Sequence, residues 1–330
     1  MKIRQLTPDW LKGVAIVLMV YGHVNHVGAL ASPQREMVEL IYTFHMPLFL
    51  LISGFFFKIS VSSSYEAGLR LIKRLVLPYL VFISLYLIGL LLVHGSSIPT
   101  SNIPPSSLSD FFKIVFLRPV GAYWFIHSLI VIQLCFLLAV SLCSKFGLSN
   151  SIVVIAAITL LALMSELHMI APRTALYYLL GVALGLYSET LPSSIKGGLA
   201  LIGLIIIISW SSIFDFTFIQ VAWCLSIMVF LAGLGRAIES SLFFSIISWF
   251  GRNSLVVLVF HSLFVVFMKP LLYLFLKIDP SGVMYSTFVV AIALLGSVFT
   301  ALFLDRTRVT VYLFGIGSIY SPIRSPSLMH

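Results

Sequence analysis

Ten apolar runs, each near the length needed to cross a bilayer, follow one another along the 330-residue chain. They fall near 11–31, 40–57, 75–94, 121–143, 151–165, 171–187, 197–213, 217–234, 254–275 and 283–304. A helix crosses the hydrocarbon core with about 20 apolar residues, and charged, Pro-rich or Ser-rich stretches separate the runs as connections would. Runs that fill the chain this way leave no room for a sizeable domain outside the membrane. The spacing predicts an all-α integral membrane protein, a single bundle of about ten transmembrane helices in which residues 1–330 form one membrane-embedded domain. Composition demands the same solvent: 60% of positions are apolar, 9% are charged and the mean hydropathy is +1.11, more oil than a water-soluble globule can hide.

The formal charge of +9 does not point to nucleic acid, because the Lys and Arg residues are scattered between apolar runs rather than gathered in a basic block. Topology accounts for them better. With Met1 inside, 14 of the 20 Lys and Arg residues, among them Lys2, Arg4, Lys58 and Arg324, fall on the cytoplasmic side. The positive-inside rule then predicts cytoplasmic termini and a multi-pass protein of the cell's inner (plasma) membrane. Lys2, Arg4 and Ala29-Leu30-Ala31 imitate a cleaved leader, but Asp9, His23, Asn25 and His26 interrupt the apolar run that a leader needs. The first run is therefore expected to be a retained span. Cys135, Cys143 and Cys224 have neither metal-ligand nor redox spacing and are assigned to packing. Gly181 and Gly185 form a G-x-x-x-G pair of the kind that brings helices close. The long Ser- and Pro-rich connection from about Gly95 to Arg118 is expected outside the membrane as a linker or lid.

Ionisable side chains at bilayer depth cost roughly 2.5 to 3.5 kcal/mol each on insertion scales, and those that occur usually face the bundle interior. Here they are histidines: His23 in the first span, His45 in the second, His127 in the fourth and His261 in the ninth. A lone buried imidazole is ordinarily a packed one; four in one small bundle suggest a site. His23 lies 11 residues beyond Lys12, or about 16 Å along a helix, and His45 lies near the start of the returning span, so the two are expected at matching depth. Asp9 and Lys12 share a face at the start of the first helix. Asp9 suits a helix cap with Lys12 snorkelling to the interface, and equally Lys12 suits an anion such as a cofactor phosphate. Imidazole is well matched to taking a proton from a hydroxyl near neutral pH. No phosphate loop, His-Glu-x-x-His pair or Gly-x-Ser-x-Gly elbow occurs, and no metal site is expected.

Several stretches carry a resemblance to a known family. They are Asp9-Trp10-Leu11-Lys12-Gly13 with Gly22-His23, and Phe44-His45-Met46-Pro47-Leu48-Phe49 with Ser53-Gly54-Phe55-Phe56. Further along come Arg70, Arg74 and Pro78-Tyr79, then Tyr123-Trp124-Phe125, and finally Phe250-Gly251-Arg252-Asn253-Ser254-Leu255 with Phe260-His261. In this the chain resembles the acyltransferase 3 family of multi-pass membrane acyltransferases, especially its fucose 4-O-acetylase-like branch. One departure is Lys12, where family members commonly carry Arg; the charge is kept and the planar fork is lost. The resemblance implies O-acyl transfer, most simply acetyl transfer, from cytoplasmic acyl-CoA to a hydroxyl of a sugar or lipid-linked glycan precursor. It implies His23 as the catalytic histidine with His45 beside it. Asp9, Lys12, Arg70 and Arg74 would meet the donor acetyl-CoA, the two arginines from an inner loop, and Trp124, His127 and His261 would line the acceptor cavity. A proton-relaying transporter or flippase is the alternative, and a non-catalytic relative that keeps the fold is a second.

Overall fold

The computed structural model describes residues 7–57, 64–93, 103–314 and 316–322. Lys2, Arg4, Lys58 and Arg324 lie outside the described residues, as does the Gly95–Asn102 part of the expected linker. Among the described residues the chain is entirely helical, without strands. In chain order the helices are α1 (Thr7–Gly22), α2 (Ala31–Tyr42), α3 (His45–Phe55), α4 (Ser64–Leu71), α5 (Leu77–Val93), α6 (Leu108–Phe116), α7 (Tyr123–Lys145) and α8 (Asn150–Glu166). They continue with α9 (Pro172–Tyr187), α10 (Ile195–Ser209), α11 (Phe218–Ala237), α12 (Leu242–Arg252), α13 (Ser254–Met268), α14 (Leu272–Ile278), α15 (Val283–Arg306) and α16 (Val309–Phe314).

Seven helical stretches among the described residues are long and apolar enough to cross a membrane: Ala31–Phe55, Glu66–Leu92, Tyr123–Lys145, Ile195–Ile213, Phe218–Ala237, Ser254–Ile278 and Val283–Arg306. Shorter apolar helices accompany them. Three features differ most from the sequence reading. The run read as 11–31 is helical to Gly22, after which the chain turns, with Gly28 at φ of +92°, before α2 begins at Ala31. The polar connection before Arg118 contains a helix, α6, whose N-cap Ser107 accepts from the Asp110 amide while Asp110 accepts from the Ser106 amide, a reciprocal cap. Arg70 and Arg74 are not on a loop. Arg70 ends α4, and Arg74 lies in a π-helical turn, Ile72–Val76, that runs into α5.

Contacts divide the chain into two compact units. The first comprises Met1–Phe57, Tyr177–Thr307 and Ser318–His330. At its centre α1 packs along α12, and glycines set the distance: a β-carbon on Gly13 would run into the Ile247 carbonyl, and one on Gly251 into the Asp9 carbonyl. Trp10 anchors the same face by donating from Nε1 to the Leu231 carbonyl at 2.8 Å and stacking on Phe244. The G-x-x-x-G pair behaves as expected. Gly181 lies against the Leu51 carbonyl and Gly185 against the Phe55 carbonyl, the close approach that small residues allow between helices in lipid.

The second unit comprises Lys58–Leu176 and Arg308–Gly317. Here α7 and α8 form an antiparallel pair, α4 packs on α7, and α16 packs on α5. Tyr79 in α5 donates its hydroxyl to the Val115 carbonyl at 2.5 Å and so ties α6 to the unit. All three cysteines are buried and free, as packing residues would be.

Candidate active site

The first unit gathers Asp9, Lys12, His23, His45 and His261, and they form two clusters at the two ends of α1. Asp9 and His23 are 14 positions apart, which at 1.5 Å per residue is about 21 Å.

At the far end, His23 sits in the turn immediately after α1 rather than within a span. Its Nδ1 lies 2.8 Å from the Met19 carbonyl. A carbonyl only accepts, so Nδ1 carries the hydrogen, and a neutral ring then leaves its lone pair on Nε2. His23 remains exposed, and among the described residues no hydrogen bond is made by its Nε2. The ring meets His261 of α13 edge to face, with centres 4.9 Å apart. His261 is fully buried, donates from Nδ1 to the Val257 and Leu258 carbonyls at 3.0 Å, and has the Ser262 hydroxyl 3.3 Å from Nε2.

His45 opens α3, just past the break at Thr43 and Phe44, and donates from Nδ1 to the Ile41 carbonyl at 2.9 Å. Both His45 and His261 lie within electrostatic reach of His23. Tyr42 joins the parts. Its hydroxyl donates to the Gly22 carbonyl at 2.8 Å, and its ring centre lies 5.2 Å from that of His45. Thr43 receives a 2.9 Å bond from the Trp223 indole, fixing the break in α2–α3 that aims His45.

The turn carrying His23 is held by a buried network that the sequence reading did not assign. His26 lies 3.1 Å from Gln34 Oε1 and 3.2 Å from the Ser286 hydroxyl through Nδ1, and it donates from Nε2 to the Tyr21 carbonyl at 3.0 Å. Backbone bonds from Ala29 and Leu30 to the Pro280 and Ser281 carbonyls continue the attachment. Gly28 and Gly282, both at positive φ, permit this close contact. In the sequence His26 was visible only as a polar interruption of an apolar run.

At the near end of α1, buried Asp9 faces Arg252, the last residue of α12, with the carboxylate and guanidinium 3.9 Å apart and both side chains under a tenth exposed. Lys12, half-buried, lies one turn along from Asp9. Arg252 was legible in the Gly-Arg-Asn motif, but nothing in the sequence joined that motif to Asp9.

The second unit holds Arg70, Arg74, Trp124 and His127. Arg70 forms an exposed 3.5 Å ion pair with Glu66. Trp124 and His127, one turn apart at the start of α7, line a pocket of about 530 Å³ at the open end of the α7–α8 pair, together with Arg118, Glu166 and His168. His127 donates from Nε2 to the Phe116 carbonyl at 2.9 Å, and its buried Nδ1 has no hydrogen-bond partner among the described residues. Also among the described residues, no group of three His, Cys, Asp or Glu side chains is placed to hold a metal ion.

Among the described residues the chain is thus a helical bundle with seven stretches long and apolar enough to cross a membrane, and it presents an exposed histidine, His23, just past the end of α1. The chain belongs to the acyltransferase 3 family: the family's acyltransferase-domain model matches residues 6–302. Among curated proteins it is similar to nodulation protein NolL of Sinorhizobium fredii (strain NBRC 101917 / NGR234), 30% identical over 164 residues, covering 46% of this chain and 42% of that protein. NolL of Mesorhizobium japonicum (strain LMG 29417 / CECT 9101 / MAFF 303099) is 30% identical over 131 residues, 38% of this chain and 33% of that protein. The matches thus span less than half the length of these relatives. No solved structure matches the chain.

Proposed function

We propose that the protein is a membrane O-acyltransferase that moves an acetyl group from cytoplasmic acetyl-CoA to a hydroxyl of a sugar or lipid-linked glycan precursor. The observation that carries this reading is the state of His23: Nδ1 is anchored on the Met19 carbonyl and the residue is exposed, which leaves the Nε2 lone pair to act as a general base. In the reaction His23 Nε2 takes the acceptor's hydroxyl proton as the oxygen attacks the thioester carbonyl. The carbon–sulfur bond then breaks, and the imidazolium returns its proton to the departing thiolate. His45 and His261 set the orientation of His23 and the polarity around it.

In this reading Lys12, with Asp9 one turn away on the same helix, meets the donor's phosphates at the cytoplasmic side, and both termini are cytoplasmic in the plasma membrane. The separation of about 21 Å along α1 suits a nucleotide held near Asp9 with its slender pantetheine arm reaching His23. Within the second unit, the pocket of about 530 Å³ lined by Trp124 and His127 has the mixed donors and acceptors and the indole face that a sugar suits. We read residues 1–330 as one membrane-embedded domain.

The test is transfer of labelled acetyl from acetyl-CoA to a glycoside acceptor by purified protein in lipid nanodiscs. Wild-type protein should label the acceptor and His23→Ala should not. Full transfer by folded His23→Ala overturns the mechanism, and acceptor movement without any acetyl-CoA turnover supports a transporter instead.

A further inference from the structure

The segment Ser318–Pro322 lies across the α12–α13 junction, and side chains read its backbone one group after another. Asp305, at the end of α15, accepts from the Ile319 amide at 3.1 Å, the Tyr320 amide at 3.0 Å and the Ser318 hydroxyl at 2.6 Å. Asn253, the junction residue, is 1% exposed. Its Oδ1 accepts from the Ser321 amide at 2.9 Å and its Nδ2 donates to the Ser321 carbonyl at 2.9 Å, so one amide satisfies both backbone groups of one residue. The Trp249 indole donates to the same carbonyl at 3.0 Å. Arg252 completes the set, with one arm 3.4 Å from the Pro322 carbonyl and the other 3.9 Å from Asp9.

An arginine held at both arms loses its freedom to swing into water, which is what a long cation at a helix end otherwise does. The strap therefore fixes the cation that faces Asp9, and the cluster as a set carries two cations, Lys12 and Arg252, and one anion. We infer that Asn253 is a positioning residue for the donor end of the site: by clamping the strap at Ser321 it keeps the Arg252 guanidinium against Asp9 in the geometry that receives the anionic donor. This rests on the reading of Asp9 and Lys12 as donor-binding residues.

The test uses the full-length protein with acetyl-CoA as the varied substrate. Asn253→Ala removes the clamp, and Ser321→Pro removes the amide that the clamp reads while leaving α12 and α13 untouched. Each should raise the KM for acetyl-CoA about tenfold with kcat within about twofold, and the double variant should be no worse than either single, because both break one interaction. An unchanged KM, or a fall in kcat at constant KM, overturns the inference if Lys12→Ala does raise the KM. If Lys12→Ala also leaves the KM unchanged, the donor reading itself fails. Hydrogen exchange then decides the strap alone: Asn253→Ala should deprotect the amides of Ile319, Tyr320 and Ser321 and spare α13, and retained protection rejects the clamp.

Discussion

The imidazoles of His23 and His261 meet edge to face, centres 4.9 Å apart and planes at 79°, although one follows the first helix and the other lies in α13. The His23 ring is thereby backed by a fully buried one whose two nitrogens are already engaged within α13, Ser262 included. Such backing limits how far the His23 ring can rotate, and preorganised orientation is worth much to a proton-transfer step.

The two histidines should therefore separate in mutagenesis. His23→Ala should lower acetyl transfer by about 10² to 10⁴-fold, the usual worth of a general base. His261→Phe, which keeps an aromatic edge against His23, should cost about tenfold or less while the protein stays folded. Steady-state transfer rates on protein checked by size exclusion distinguish the two.

The ion pair between Asp9 and Arg252 is buried on both sides, so removing one partner takes away an opposite charge that compensates the buried charge of the other. Arg252→Leu or Asp9→Leu alone should cost roughly 3 kcal/mol, whereas replacing both should recover most of the loss. Denaturant unfolding in mixed micelles, analysed as a double-mutant cycle, gives the coupling directly.

Glycine substitutions should sort by what faces them. Gly251→Ala and Gly13→Ala place a methyl against the Asp9 and Ile247 carbonyls and should cost about 1 to 3 kcal/mol or more by forcing α1 from α12. Gly89→Ala, inside α5 with nothing within 4 Å of the new carbon, should be neutral or stabilising, since alanine is the better helix former. Thermal midpoints and yields of membrane-extracted protein check the contrast.

The loop that receives the His23 turn depends on Asp279, whose carboxylate accepts from the Ser281 amide at 3.0 Å and the Met284 amide at 2.8 Å. The Ser281 side-chain hydroxyl first, then the Met284 amide, hold its pKa below the ordinary carboxylate value. A depressed folded-state pKa means that the cap is present at neutral pH and is lost as the pH falls through that lowered value. Amide exchange at Ser281 and Met284 should accelerate in acid, and Asp279→Asn should show the faster exchange already at neutral pH.

Much of this was legible in the sequence. Hydropathy alone specified helices in lipid, because a backbone without water must satisfy itself internally, and the spacing of Gly181 and Gly185 announced a close helix contact. Four histidines in apolar runs marked where chemistry was to be sought. Other features have no local signal. Eleven residues at Leu242–Arg252 are too few to span a bilayer, so nothing along the chain identified α12 as the main partner of α1. The expected pairing of His23 with His45 was a depth argument along two helices, and depth is blind to rotation about the axis. Only the packing of α13 against the rest of the first unit turned His261 toward His23, and only the approach permitted by Gly13 and Gly251 brought Arg252 to Asp9. The sequence by itself determined the solvent, the helical class and the chemical inventory, since each follows from composition and from neighbours in the chain. Which cation met which anion, and which ring backed the exposed imidazole, depended on contacts between residues more than two hundred positions apart, and only the tertiary structure decided them.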